Sequence, residues 1–303
     1  MNFLRMSLLA SVLATVACSG AAKQPNMEVE ARSLAPVPAC IIPLALRNGA
    51  STGTLRNLRE EQYWQVVFPS FDAKAMTLPE KPTTCTGRTV LDDPLFQGAQ
   101  RIHAPSDPVT ESDILVGSGG DHLRVVWLRT HSLPDGRSVG PIALVRAKEN
   151  VAEVYAVGAY RSATPRPFFV LERMGPEVLV TATDEACTGK QFGFDCENNV
   201  AVFVPRKGVL VRLGDFATEK RAFFAGAERG TFGEKIEYRL TSSVSYGAGG
   251  LKIFEQIVAR DIEGRELRRA ELERIFAFRE VELTSSEAPL WPRVFPGAKN
   301  VAP

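Results

Sequence analysis

Long apolar runs are missing from this 303-residue sequence, and none approaches the length of about 20 residues that a helix needs to cross a bilayer. A protein with several membrane spans is therefore excluded. An excess of charge of one sign is also missing, because 36 Lys and Arg residues stand against 35 Asp and Glu residues. A formal net charge of +1 provides no general attraction for nucleic acid. We therefore predict no nucleic-acid partner.

The usual metal ligands are scarce and widely spaced. The chain has only three histidines, His103, His122 and His131, and its cysteines lack the close Cys-x-x-Cys spacing of a zinc site. Asp92 and Asp93 are adjacent but lack the further oxygen ligands of a calcium loop, which favours a turn. We therefore expect neither a metal nor a cofactor.

The first 17 residues have the pattern of a signal peptide. One cation, Arg5, precedes the apolar stretch Met6–Ala17, and the segment contains no acidic residue. This stretch is too short for a permanent transmembrane helix. The pattern predicts export from the cytoplasm.

The end of this segment reads Leu13-Ala14-Thr15-Val16-Ala17-Cys18-Ser19-Gly20. It resembles the lipobox of bacterial lipoproteins, with Thr15 at a position that usually holds Leu. The resemblance implies cleavage before Cys18, acylation of Cys18 and a membrane partner bound through the acyl chains. Ser19 replaces the Asp that resembles an inner-membrane retention signal, which favours the outer membrane, facing the periplasm. The alternative is an ordinary secretory signal cut near Ala17, with Cys18 left as a thiol.

The chain divides into four parts by composition. Pro and Gly, with few large apolar residues, are typical of a tether after Cys18, and Pro289, Pro292 and Pro296 predict an irregular end in which Trp291 and Phe295 anchor the chain. The predicted divisions are a signal peptide at 1–17, an acylated flexible tether at 18–39, an all-β domain at 40–283 and an irregular Pro-rich tail at 284–303.

Four cysteines remain after Cys18, and an even number suits an oxidising compartment. Three pairings of these four are possible. Cys187 and Cys196 bracket a polar, glycine-containing segment between two strand-like runs, which favours a local bridge between them. This choice pairs Cys40 with Cys85.

The body of the chain consists of short apolar runs separated by turn residues, a pattern typical of all-β proteins. Because the connections are short, we predict an antiparallel meander that closes as a barrel or stacks as a sandwich, with one short N-terminal helix at 54–62. Residues 265–278 suit either a helix or a strand, and the turn at Glu263-Gly264 favours a hairpin. The predicted strands are 63–68, 114–117, 122–128, 142–145, 151–159, 168–171, 178–182, 200–204, 209–213, 236–240 and 251–258.

One segment matches a catalytic motif. Residues 49–53 read Gly-Ala-Ser-Thr-Gly, the Gly-x-Ser-x-Gly pattern of a nucleophile elbow centred on Ser51. An elbow belongs on a parallel sheet with crossover helices, whereas an antiparallel meander is predicted to follow. We therefore interpret these residues as a flexible turn and assign no catalytic residue.

The segment from Cys187 to Cys196 is a candidate recognition loop. A disulfide would hold Phe192 and Phe194 beside two glycines, and outward-facing rings would form an aromatic contact of the kind that anchors interfaces. The alternative, which we favour, is that both rings fold back as a small core beneath the loop.

The function expected from these features is that of a cell-envelope lipoprotein. Its specific role is predicted to be non-enzymatic binding or assembly, with another envelope protein as a candidate partner. The alternative is an envelope hydrolase that acts on a glycan or a peptide. An apolar barrel interior would instead indicate carriage of a lipid-like ligand.

Overall fold

The fold is known from a computed structural model. It describes residues 37, 40–43, 59–117, 123–148, 151–175, 177–190, 193–225, 235–247, 250–279 and 282–295. The predicted signal peptide, almost all of the predicted tether, Cys18, Ser51 and His122 lie outside these residues. Within the described ranges, no helix has the length and apolar character needed to cross a bilayer.

The described residues are mostly β-structure, as predicted. The α-helices are α1 (Glu60–Val67) and α2 (Trp291–Val294). The strands are β1 (Ile41–Pro43), β2 (Gln100–Arg101), β3 (Ile114–Gly117), β4 (Leu123–Leu128), β5 (His131–Ser132), β6 (Ser138–Lys148), β7 (Val151–Ser162), β8 (Phe168–Met174), β9 (Glu177–Lys190), β10 (Gly193–Arg206), β11 (Gly208–Ala225), β12 (Lys235–Gly247), β13 (Gly250–Arg260), β14 (Glu266–Arg279) and β15 (Glu282–Ser285).

The strands form two antiparallel groups within one sheet. Strands β8 to β15 are a meander in which each strand pairs with the next, and β3, β4, β6 and β7 form the other group. A short parallel contact joins the groups, where Gly208 and Val209 of β11 pair with Ala156 and Val157 of β7. This parallel pair departs from the fully antiparallel prediction. The sheet of described residues is not closed as a barrel.

Turn residues place the hairpins where the sequence predicts them. Gly264 has a φ of 82° in the turn between β13 and β14, and its N–H donates to the carbonyl of Asp261. Lys207 and Gly208, with φ values of 47° and 81°, turn the chain from β10 into β11. The ambiguous segment 265–278 is a strand from residue 266 onward, because β14 pairs with β13 from Glu266 to Ala277.

The strand predicted at 63–68 is wrong, since these residues belong to α1 and its C-cap. Glu60 and Glu61 occupy the first helical turn, where acidic side chains interact favourably with the helix dipole. The Gln62 side chain also accepts a hydrogen bond from the Arg59 N–H at 2.8 Å. Trp64 then stacks on Phe68, four residues later, as helical spacing allows. The predicted helix at 54–62 is therefore displaced toward the C-terminus, and residues 54–58 lie outside the described part.

Strands β8 to β10 have apolar side chains on both faces. Val178 and Val180 pack with Trp127 on the β3–β7 side, whereas Leu179 packs with Ile253 on the side of the later strands. Burial on both faces explains why these strands are continuous apolar runs rather than alternating patterns. The outer face of β4, β6 and β7 is covered by α1 and the segment that follows it.

A buried carboxylate connects the irregular segment after α1 to β4. Asp113 is only 1% exposed, and its Oδ1 accepts hydrogen bonds from the Arg129 guanidinium at 2.8 and 3.1 Å. Its Oδ2 accepts from the Thr110 N–H and hydroxyl and pairs with His103 Nε2 at 2.7 Å. Burial alone would raise the pKa of Asp113, but these hydrogen bonds hold it below its usual value. The ionised carboxylate therefore has a partner for each of its oxygens.

The C-terminal segment departs from the expected irregular tail at two places, because β15 extends to Ser285 and α2 covers residues 291–294. Pro292 lies in the first turn of α2, where its missing N–H costs no helical hydrogen bond. The predicted anchors do pack on the domain. Trp291 stacks on Phe295 at 4.8 Å between ring centroids, and Phe295 meets the ring of Tyr238.

A buried ion pair lies beneath this segment. Arg274 on β14 pairs with Glu255 on β13, and both side chains are less than a tenth exposed. The second oxygen of Glu255 accepts a hydrogen bond from the Leu290 N–H at 2.8 Å. The carboxylate therefore fastens the C-terminal segment to the sheet.

Candidate functional site

A cavity of about 430 Å³ lies where the two strand groups meet the irregular segment at residues 84–96. We call it the junction cavity. Its volume lies within the range of about 300–1,000 Å³ that is typical of small-molecule sites. It is lined by Thr84, Thr86, Arg88, Thr89, Val90, Asp92, Asp93, Pro94, Phe96, Pro141, Val157, Gly158, Ala159, Val209 and Leu210.

The floor of the junction cavity is the short parallel contact between β7 and β11. Val157 and Val209 are paired there, and the β7 and β11 backbones approach closely at Gly158. A Cβ at position 158 would lie 2.5 Å from the Leu210 carbonyl oxygen and 2.9 Å from its Cβ. Only glycine therefore allows the two strands to come together at this depth.

The opposite wall is held in place by a disulfide and by local hydrogen bonds. Cys85 is bonded to Cys40, with their Cα atoms 5.1 Å apart. The Thr84 hydroxyl donates to the Arg88 carbonyl at 3.1 Å and lies 2.9 Å from the Thr86 hydroxyl. Asp93 Oδ1 accepts a hydrogen bond from the Leu95 N–H at the start of a 3-10 turn, Pro94–Phe96. These contacts give the wall a defined shape.

Charged side chains of both signs line the junction cavity. Arg88 and Asp92 are exposed, and Asp93 is partly buried. Among the residues that the structure describes, none of these three takes part in an ion pair. Each of these three groups is therefore without a charged partner in the part of the chain that the structure describes.

A buried histidine supports the apolar side of this region. His131 is 2% exposed and meets Phe96, a cavity residue, edge-on at 5.2 Å. Its Nδ1 lies 2.9 Å from the Thr130 hydroxyl. Burial, followed by the nearby charge of Arg101, lowers the pKa of His131 to about 4. The ring is therefore neutral near pH 7 and acts as a packing group.

The structure confirms both predicted cysteine pairings. Cys40 pairs with Cys85, and Cys187 pairs with Cys196 directly across β9 and β10, where their Cα atoms are 4.2 Å apart. Glu185 lies close to both sulfurs of the second pair. Sulfurs joined in a disulfide are not thiolates, so this group does not form a zinc site.

The candidate recognition loop is only partly described. Phe192 lies outside the described residues, whereas the backbone of Phe194 belongs to β10 and is paired with Gly189. Strands β9 and β10 continue their ladder to Lys190 and Gly193, so the disulfide spans a regular hairpin. The role assigned to the two rings stays a prediction.

The residues of the junction cavity were not predicted as a site. The sequence predicts a turn at Asp92 and Asp93, and Asp92 does end one 3-10 turn, Val90–Asp92, while Asp93 lies between it and the next, Pro94–Phe96. Two adjacent aspartates beside a proline are the only local signal, and such a signal is common in turns. The apolar side of the cavity comes from β6, β7 and β11, which are far away in sequence.

Comparison with known proteins found no matching family model, no matching curated protein and no matching solved structure. A function for this chain is therefore inferred from its own residues.

Proposed function

We propose that the chain is a lipid-anchored protein of the bacterial cell envelope that works as a non-enzymatic binding module, with the junction cavity as its ligand site. The observation that carries the binding role is the cavity itself, which combines an apolar floor with unpaired charges. Ligand pockets commonly have this composition, in which apolar surface supplies affinity and a few polar groups fix orientation.

The proposed location depends on the resemblance of residues 13–20 to a lipobox. The two disulfides support it, because such bonds persist in oxidising compartments such as the periplasm. The residue after Cys18 is Ser19, which favours the outer membrane. The acyl chains would form the membrane contact, and an envelope protein is the proposed macromolecular partner.

Mass spectrometry of the native protein tests the anchor. We expect the mature chain to begin at Cys18 and to carry acyl groups, because the leader is removed when the cysteine is lipidated. The Cys18→Ser variant is expected to lose the added mass and to leave the membrane fraction. A native chain that retains Met1, or one that begins near residue 18 without acyl groups, would contradict the proposed anchor.

We further infer that the two strand groups stack as a sandwich. Support comes from the apolar cluster in which Trp127 and Leu144 of one group pack with Phe169 and Phe203 of the other. The junction cavity then lies at the place where β11 meets β7.

The cavity is tested with N-phenyl-1-naphthylamine, a small neutral dye that fluoresces in apolar surroundings. The Ala159→Phe and Val209→Phe variants place a ring in the cavity, and each is expected to weaken dye binding about tenfold or more because the apolar floor is filled. Fluorescence titration of the purified domain measures the dissociation constants.

Ala277→Phe is the matched control, because Ala277 is an exposed residue of β14 that does not line the cavity. It adds the same ring and is expected to leave dye binding unchanged. Circular dichroism and the thermal midpoint show that each variant is folded. Unchanged dye binding by both folded cavity variants would overturn the proposed site, and so would a wild type that binds neither the dye nor the peptides described in the next subsection.

The hydrolase alternative gains one observation, the presence of two carboxylates at the same cavity. Asp92 is exposed, however, and one oxygen of Asp93 is occupied by the Leu95 N–H. An acid catalyst of the glycosidase kind is a carboxyl group held in an apolar, buried environment, and the exposed side chain of Asp92 does not have one. Binding without chemistry is therefore the role that these residues support better.

A further inference from the structure

The charges of the junction cavity have an unusual arrangement. Arg88 lies before the buried residue Val90, and Asp92 and Asp93 follow it, so charges of opposite sign approach one cavity from the same short segment. Here the arginine and the two aspartates form no ion pair with one another or with any other described residue.

The apolar part of the lining limits the size and shape of a ligand. Phe96 and Pro141 stand beside Val157 and Leu210, and Phe96 and Leu210 are less than a tenth exposed. A volume of about 430 Å³ lies at the small end of the range for ligand sites. This surface suits one or two compact apolar groups rather than a long acyl chain.

We infer that the junction cavity binds a zwitterionic amphiphile of about dipeptide size, with its apolar groups on the β7–β11 floor, its anionic group at Arg88 and its cationic group at Asp92 and Asp93. This inference depends on the proposed binding function and specifies the chemical class of its ligand. The Arg88 guanidinium presents several N–H donors to a carboxylate or phosphate. Asp93 has one oxygen free of the Leu95 N–H, and it accepts a hydrogen bond from an ammonium group.

A ligand with one charge fits this cavity less well. An anion would pair with Arg88 but approach two carboxylates, and a cation would pair with the carboxylates but approach the guanidinium. A zwitterion satisfies both signs at once. An uncharged ligand would gain binding free energy only from its contact with the apolar floor.

Three peptides that differ only in their end charges test this inference. The probes are the free dipeptide Leu-Phe, its N-acetyl derivative and its C-terminal amide, and isothermal titration calorimetry measures their binding to the acylated full-length protein in detergent. We expect Leu-Phe to bind about fivefold tighter than either derivative, a modest factor because the charges are near solvent.

Variants that remove one charge from the cavity then test which side chain binds each charged end of the peptide. Arg88→Gln is expected to weaken Leu-Phe toward the level of its amide and not to weaken the amide, because the amide has no carboxylate for Arg88 to bind. The double variant Asp92→Asn/Asp93→Asn is expected to weaken Leu-Phe to the level of the acetylated peptide. An Asn at position 93 can still accept the Leu95 N–H, so the wall is preserved. Arg268→Gln, on exposed β14, is the matched control and should change nothing.

The outcomes separate this inference from the function on which it depends. Equal affinities for the three peptides would overturn the inference that the ligand is zwitterionic. The same conclusion would follow if Arg88→Gln weakened the peptide amide as much as Leu-Phe, or if the double Asp variant weakened the acetylated peptide as much as Leu-Phe. Dye binding without any peptide binding would also overturn it but would leave the binding module intact. Absence of both kinds of binding would overturn the binding module itself.

Discussion

The Asp113→Asn variant should unfold with a free energy about 3 kcal/mol below that of the wild type, because the substitution removes one partner of a buried ion pair. An asparagine replaces one acceptor oxygen with an NH2 group. In place of Oδ1, that group would face the Arg129 guanidinium, and in place of Oδ2 it would face the donors of Thr110 and the His103 ring, at a position that is only 1% exposed. Denaturant unfolding followed by circular dichroism measures the change.

The loss of stability caused by Asp113→Asn should become smaller as the pH falls. Because the folded-state pKa of Asp113 is lowered, its contribution is complete above the unfolded-state pKa and is lost as the pH falls through the folded-state value. The difference between wild type and variant should therefore shrink in strong acid. Asp135→Asn is the control, since Asp135 also pairs with an arginine, Arg137, but both groups are exposed. Equal losses in the two variants would show that burial of Asp113 is not what matters.

Removal of the first disulfide, as Cys40→Ser/Cys85→Ser, should lower the free energy of unfolding by about 4 kcal/mol. The bond closes a segment of 45 residues, and loop-closure entropy in the unfolded chain grows with that length. Cys187→Ser/Cys196→Ser removes a bond that closes only 9 residues, for which the same relation predicts about 2.5 kcal/mol. Chemical denaturation of both variants measures the two values.

The two disulfides should also differ in their effect on ligand binding. Cys85 lies beside Thr84 and Thr86, which line the junction cavity, whereas the second bond lies on the β9–β10 hairpin. The first variant should therefore bind N-phenyl-1-naphthylamine more weakly under conditions where it is still folded. The second should bind the dye as the wild type does. Loss of dye binding in the second variant alone would contradict this assignment of the cavity.

Local signals were sufficient to predict most strands. In β12, Tyr238 and Leu240 face the core while Arg239 and Thr241 face solvent, the alternation that the sequence shows. Turns such as Asp261–Gly264 require a residue that tolerates positive φ, and glycine occupies that position. Alternation and turn chemistry are properties of neighbouring residues, so they can be read without knowledge of the fold.

Features that depend on distant residues could not be predicted in this way. The run at 63–68 is apolar and β-branched, which favours a strand locally, whereas its helix is stabilised by the packing of Trp64 and Val67 in the core formed with β4, β6 and β7. The junction cavity needs Gly158 to approach Leu210, and no local pattern shows which strand passes beside a glycine. The cysteine pairing could be predicted from the sequence because Cys187 and Cys196 lie within a single hairpin.

The late position of Leu290 and Trp291 affects the order in which the chain can fold. These side chains cover Tyr238, Leu240 and Ile257, an apolar patch contributed by β12 and β13. A polypeptide threaded across a membrane with its N-terminus first would present this patch to water until residue 291 had emerged. Partly exported molecules would then be prone to association through it, and a holding chaperone on the receiving side would be of most use during that interval.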